Sequence, residues 1–371
     1  MISEFYEKLA KLAVNYSIEV KKGDRILIIG PAIAKELFQA CYAEVVKAGG
    51  HPFYLANIEG TEELMYKYGS KDQLEYVDDI LFTIFKEFNG LISIFGDYNR
   101  RKLALVDPKL KALREGSIKN KELNTLYMKR SASGELHWVV IPFPCNSFAQ
   151  EANMDLFSYS EFVKKALYLD KEDPVMEWQK VDVDQLKIAS KLNEFKDKEV
   201  EVFGEDTELK FSFKNRIWKS YSGKVNLPDG EIATSPVEES INGKIRFTYP
   251  GIYQGQEIEN IYLEFKEGKV VKSTASKGHE LLQELLKIEG ANMIGEFAVG
   301  TNYGVTKFTK NMLFDEKMSG TLHMALGLGY EELGGKNRSA IHWDILKDML
   351  FPGSIIEIDG TVVYKEGNWM I

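Results

Sequence analysis

Soft metal ligands and nucleophiles are scarce in this sequence. Its 371 residues contain two cysteines and five histidines. Cys41 falls in the helical run AKELFQACYAEVVKAGG and Cys145 in IPFPCNSFA, and neither belongs to a CxxC pair. Both read as reduced, packed thiols. A cysteine nucleophile would depend on His51 or His137 arriving through the fold. No stretch of about 18 apolar residues is present, so no transmembrane helix is expected. The opening run, MISEFYEKLAKLAVNYSIEV, has acids and a helical stripe where a secretory signal has a basic start and an unbroken apolar core. The expected location is the cytoplasm. Basic excess is also missing: a net charge of −9 argues against nucleic acid or a polybasic membrane contact.

Familiar motifs are absent as well. Gly30-Pro31-Ala32, after the first apolar run, offers neither GxGxxG nor GxxxxGK[ST], so a phosphate cradle is not expected there. His279-Glu280 begins HELLQ without the second histidine of HExxH, which removes the mononuclear metalloprotease helix. His51, His137 and His279 lack acidic partners at ligand spacing and read as surface or capping residues. No repeat of 20 to 50 residues and no low-complexity tract is visible.

What is present is a change of texture along the chain. Phe5, Leu9, Leu12 and Ala13 recur at helical spacing. RILIIG (25–30), a helix over 34–49 and PFYLA (52–56) form a βαβ unit, which implies a parallel sheet. GLISIF and HWVVI supply two further strands. A charged helical stretch over 158–195 follows. From Glu199 onward short alternating runs take over: EVEVFG, TELKFSF, KIRFTYP, IENIYLEF and KVVKSTA, parted by Gly, Asn and Asp turns. The expected fold is an open, layered α/β domain over residues 1–184, followed by a mostly β domain over 185–371.

The densest chemistry lies in TLHMALGLGYEELGGKNRSAIHWD, residues 321–344, which holds two of the five histidines. SAIHWDIL reads as a buried strand, and alternation then turns His342 and Asp344 to one face with Trp343 to the other. TLHMALG reads as a second strand carrying His323. One histidine with one aspartate does not complete a metal site, so more carboxylates must join. Glu296 interrupts the apolar, small-residue run ANMIGEFAVGTN, where an unpaired acid is expensive to bury; it reads as a metal ligand, or as a buried salt bridge or an outward-facing strand position. Glu231 follows the turn Leu227-Pro228-Asp229-Gly230 and reads as projecting from a rigid edge, or as an exposed turn acid. Asp315 and Glu316, in LFDEKMSGTLH, are weaker candidates, because a DEK cluster is usually a solvated helix end.

Two histidines and about three carboxylates exceed what one open catalytic zinc takes, and suit a pair of ions sharing a bridging carboxylate. The reaction class that follows is metal-assisted hydrolysis of an amide, ester or phosphate. Tyr330, in the Gly-flanked loop after His323, could donate to an oxyanion, or be an ordinary loop aromatic. Lys336 and Arg338 in GGKNRS could meet substrate carbonyls or a carboxylate, or be a solvated loop.

At PDGEIATSPVEESINGKIRFTYP, IGEFAVGTNYGVTKFTKNMLFDEK, GTLHMALG and GGKNRSAIHWD the sequence resembles the M29 family of metalloaminopeptidases, and the likeness extends over essentially the whole chain. The resemblance implies an α/β domain plus a β-rich catalytic domain, and a leucyl- or broad-specificity aminopeptidase acting on peptides with a free N-terminus. It implies two divalent metal ions, zinc or cobalt, with magnesium or manganese as further candidates, and a bridging hydroxide. Carried over by position, the family's ligands fall on Glu231, Glu296, His323, His342 and Asp344, with Glu316 beside them, and its motif tyrosine on Tyr330. Glu296 is the expected bridge, and Glu231 or Glu316 the expected general base. Family likeness also implies a homodimer. A metal-dependent amidase or esterase, and a non-catalytic metal-binding protein, are the competing readings.

Overall fold

The computed structural model describes residues 2–371. The chain divides into two compact units. One comprises the residues up to Met176 together with Gly223–Pro228; the other comprises Glu177–Ser222 and Asp229–Ile371.

The first unit is built on four parallel strands, β1 (Arg25–Pro31), β2 (His51–Asn57), β3 (Gly90–Phe95) and β4 (His137–Pro142), in the order β2-β1-β3-β4. β1 and β3 are continuous apolar runs because both of their faces are covered. Helix Lys35–Lys47 buries Leu37, Phe38, Cys41 and Val45, the i, i+4, i+8 stripe that a crossover helix needs. Both cysteines are buried and unbridged, and His51, His137 and His279 are exposed, as the sequence suggested. The expected first helix ends earlier than its stripe does: Glu4–Leu12 is α-helical and Ala13–Ser17 is a π turn.

The second unit is dominated by antiparallel sheets. Its largest sheet has eight strands, running from Lys269–Thr274 at one edge to Asn368–Trp369 at the other. A five-stranded sheet has the order His342–Asp348, Thr321–Gly327, Ile294–Gly300, Glu231–Thr234, Lys219–Tyr221. Alternation sends Ile232, Phe297, Val299, Leu322, Met324, Trp343 and Ile345 to one face, where they share a core with Val200, Val202, Leu209 and Phe211 of the larger sheet. The ring centroids of Phe211 and Phe297 lie 4.9 Å apart across that core. Every residue between these positions is thereby turned to the opposite face. The fold class expected from the sequence, a parallel α/β sheet with large antiparallel sheets besides, is the one the chain adopts.

Candidate metal centre

The opposite face of the five-stranded sheet gathers the chemistry. Glu231, Glu296, His323 and Asp344 are all buried there, with His342 half-buried at the rim. Ala233, Ala298 and Ala325 occupy the neighbouring positions in register, so the floor between the polar side chains is low. A β-bulge at Gly295 is what turns Glu296 outward: register shifts between Ile294 and Glu296, so Ile294 and Phe297 both reach the core.

Two expectations need correction. Glu231 is neither at a sheet edge nor an exposed turn acid; it is 6% exposed, on a strand flanked on both sides. The Asp315-Glu316-Lys317 cluster is not a solvated helix end. Asp315 is fully buried and Lys317 is 2% exposed. Phe314 and Met318 are buried on either side of it, and that flanking was the available signal.

Three triads have ligand atoms within 4.8 Å of one another: Glu231, Glu296 and His323; Glu296, His342 and Asp344; Glu316, His323 and Asp344. Nε2 of His342 lies 3.1 Å from Oε2 of Glu296 and 3.4 Å from Oδ1 of Asp344. Its Nδ1 is 2.9 Å from the Leu328 carbonyl, which can only accept, so Nδ1 carries a proton and Nε2 is aimed at the carboxylates. Nε2 of His323 lies 3.3 Å from Oε2 of Glu231. Oε2 of Glu231 and Oδ1 of Asp344 are buried and make no hydrogen bond beyond these long contacts to imidazole nitrogens, a pattern that a cation between acid and imidazole would satisfy. Imidazole plus carboxylate is also the donor set of zinc and its first-row neighbours, so these residues fit divalent metal.

The protonation of these groups points the same way. Burial alone would lower the His342 imidazole, but Asp344 and Glu296 outweigh it and push it up to about 12. His323, against the same burial, is lifted by Glu231 to about 9. Burial opposes ionisation of Glu231, yet Lys317 and His323 hold it at about 2. Asp344 is likewise held well below the usual carboxylate range, His342 outweighing its burial. Burial raises Glu296, and pushes Glu316 up to about 8. Positive charge is thus drawn to the imidazoles wherever the carboxylates crowd.

Tyr330 is 37% exposed, and its hydroxyl lies 3.3 Å from Nε2 of His342. Lys336 and Arg338 stand elsewhere, lining a cavity of about 570 Å³ with Arg216 and Glu238, to which none of the six acid and histidine candidates contributes. Arg338 is paired with Glu331. The main-chain nitrogens of Lys336 and Asn337 donate to Oε1 of Glu238, whose Oε2 is 2.7 Å from Arg216. The Leu328 carbonyl and Lys317 contact site residues, the Arg216–Glu238 pair holds the main chain at 336–337, and none of these was singled out from sequence. An ion pair across 22 residues and a main-chain oxygen leave no local pattern to read.

Comparison with known proteins places the chain among metalloproteases. Similarity to Aminopeptidase 2 of Geobacillus stearothermophilus is 25% identity over 98% of this chain and 97% of the relative. Similarity to Aminopeptidase PepS of Streptococcus thermophilus is 27% identity over 99% and 98% of the two chains. The fold matches that of wild-type AmpT from Thermus thermophilus with a TM-score of 0.85, covering the whole of both chains at 19% identity. A family model described as thermophilic metalloprotease (M29) matches residues 3–369, and the chain therefore belongs to the M29 metalloprotease family.

Proposed function

We propose that this hydrolase is an aminopeptidase that releases the N-terminal residue of peptides at a site holding two divalent cations. The observation that carries the reading is the overlap of the three triads: Glu296, His323 and Asp344 are each shared by two of them, which is more donors than one open ion needs. Glu231, Glu296, His323, His342 and Asp344, with Glu316, would hold the ions, zinc or cobalt before magnesium or manganese given two imidazoles. When bound, such a pair supplies Lewis-acid polarisation of a carbonyl and lowers the pKa of water.

The chain's own groups would do the rest. In this reading a peptide's free α-amine would be held beside an ion and the neighbouring carboxylates, as exopeptidase action requires. Tyr330, half-exposed at the rim, would donate a hydrogen bond from its hydroxyl to an oxyanion. Glu316 is a base only where no cation engages it; engaged by one, it serves as a ligand through the oxygen that Lys317 does not contact. Glu231, the other candidate base, is held at about 2 by Lys317 and His323 and serves better as a ligand. Residues 185–371 form the catalytic domain in this reading, and the working protein is a cytoplasmic homodimer.

Aminoacyl p-nitroanilides with free and with blocked amino groups, assayed with chelator and with metal restored, test it. Turnover is expected only for the free amine and only with metal. Equal turnover of the blocked substrates would remove the aminopeptidase reading in favour of a general amidase. Chelator-insensitive turnover would remove the metals.

A further inference from the structure

Among the described residues, Lys317 is the only lysine or arginine in ion-pair contact with the candidate ligands. Its Nζ lies 2.5 Å from Oε1 of Glu231 and 2.8 Å from Oε1 of Glu316, with Oδ1 of Asp229 at 3.6 Å. The contact divides the oxygens of Glu231: Oε1 faces the ammonium and Oε2 faces His323. Main-chain bonds fix the arrangement. The Lys317 carbonyl accepts from the Asn302 main-chain nitrogen at 2.9 Å, and Nδ2 of Asn302 donates to the Asp229 carbonyl at 2.8 Å. The lysine is therefore tied to the turn that leads into Glu231.

A carboxylate can bind a cation through one oxygen or both. Catalytic metal sites differ from structural ones in keeping a coordination position open. We propose that Lys317 is a positioning residue that holds one oxygen of Glu231 and one of Glu316, limiting each to a single metal contact and leaving room for water and substrate. The proposal rests on the metalloaminopeptidase reading above. It also gives a reason for burying a lysine at all: the ammonium offsets negative charge that the converging carboxylates would otherwise bring together.

Cobalt(II) reports the difference, because four- and five-coordinate ions absorb visible light more strongly than six-coordinate ones. The protein is chelated, reloaded with Co²⁺ and compared with Lys317→Met and with Lys317→Gln, which keeps N–H donors without the charge. Metal content is measured by mass spectrometry, and the thermal midpoint of the chelated proteins monitors the fold. The wild type is expected to take up two ions per chain. The variants should retain them, lose visible absorption severalfold and lose about 10–100-fold in kcat, as outer partners of metal ligands commonly do.

A folded variant with the wild-type spectrum overturns the proposal, even if its thermal midpoint falls, since Lys317 would then be a packing residue. X-ray absorption on the wild-type protein needs no variant, and a six-coordinate shell with both oxygens of each glutamate engaged overturns it equally. Failure of the wild type to take up cobalt overturns the metal reading, and this inference with it.

Discussion

The hydroxyl of Tyr330 and Nε2 of His342 lie 3.3 Å apart, with ring centroids separated by 4.7 Å, although one residue sits in a loop and the other on a strand. The phenol thus stands at the rim of the site, beside the same nitrogen that faces Glu296 and Asp344.

Tyr330→Phe keeps the ring and removes only the donor. Steady-state kinetics should show kcat lowered by about 10²–10³, with KM and the thermal midpoint little changed, because an oxyanion donor acts in the transition state. A kcat within a factor of about three of wild type would take the oxyanion role from Tyr330.

Removing divalent metal should expose a pH dependence of stability. His323 rises on folding from 6.5 to about 9, so its contribution is fully present below pH 6.5 and lost as pH climbs through 9. Glu316 rises from 4.5 to about 8, so the folded chain again binds the extra proton and loses stability as pH rises across that window. The two act in the same direction. The thermal midpoint of chelated protein should fall by about 5 °C or more between pH 6.5 and 9. With saturating Zn²⁺ or Co²⁺ the slope should flatten, since the ion then occupies the side of the imidazole that held the proton. Scanning calorimetry with and without chelator decides it.

Glu238→Gln should unsettle the loop that carries Tyr330. Arg216 and Glu238 are about nine-tenths buried or more, and Glu238 also receives the nitrogens of Lys336 and Asn337. Breaking a buried pair from one side costs about 3–5 kcal/mol. Limited proteolysis should find a new cleavage site within residues 334–338, and urea denaturation a lower midpoint. Unchanged proteolysis would mean that the loop is held by other bonds.

Gly327→Ala places a Cβ against the Ile341 carbonyl at a φ of 109° that only glycine adopts freely. The strain should destabilise the chain by about 2 kcal/mol. Because Leu328 follows directly and its carbonyl orients His342, metal affinity measured by titration calorimetry should fall too. Destabilisation with unaltered affinity would show that the Leu328 carbonyl is not needed to orient the imidazole.

Much of this protein was determined by local sequence. Period-two alternation in HWD set His342 and Asp344 on one face before any contact was known, because a strand allows nothing else. RILIIG and the stripe at Leu37, Phe38, Cys41 and Val45 likewise specified the first βαβ unit. Glu296 was conspicuous as a lone acid among apolar neighbours. Tertiary structure decided what depended on partners far along the chain. Whether Asp315, Glu316 and Lys317 lay in water or in the interior could not follow from a charged tripeptide, since the carboxylates of Asp229 and Glu231 that make burial of a lysine tolerable are some 90 residues away. The burial of Glu231 required strands on both its sides, and the aim of Glu296 required one extra residue at Gly295. Alternation fixes which side of a strand a residue occupies; only the packing of sheet on sheet fixes which side becomes the core and which becomes the site.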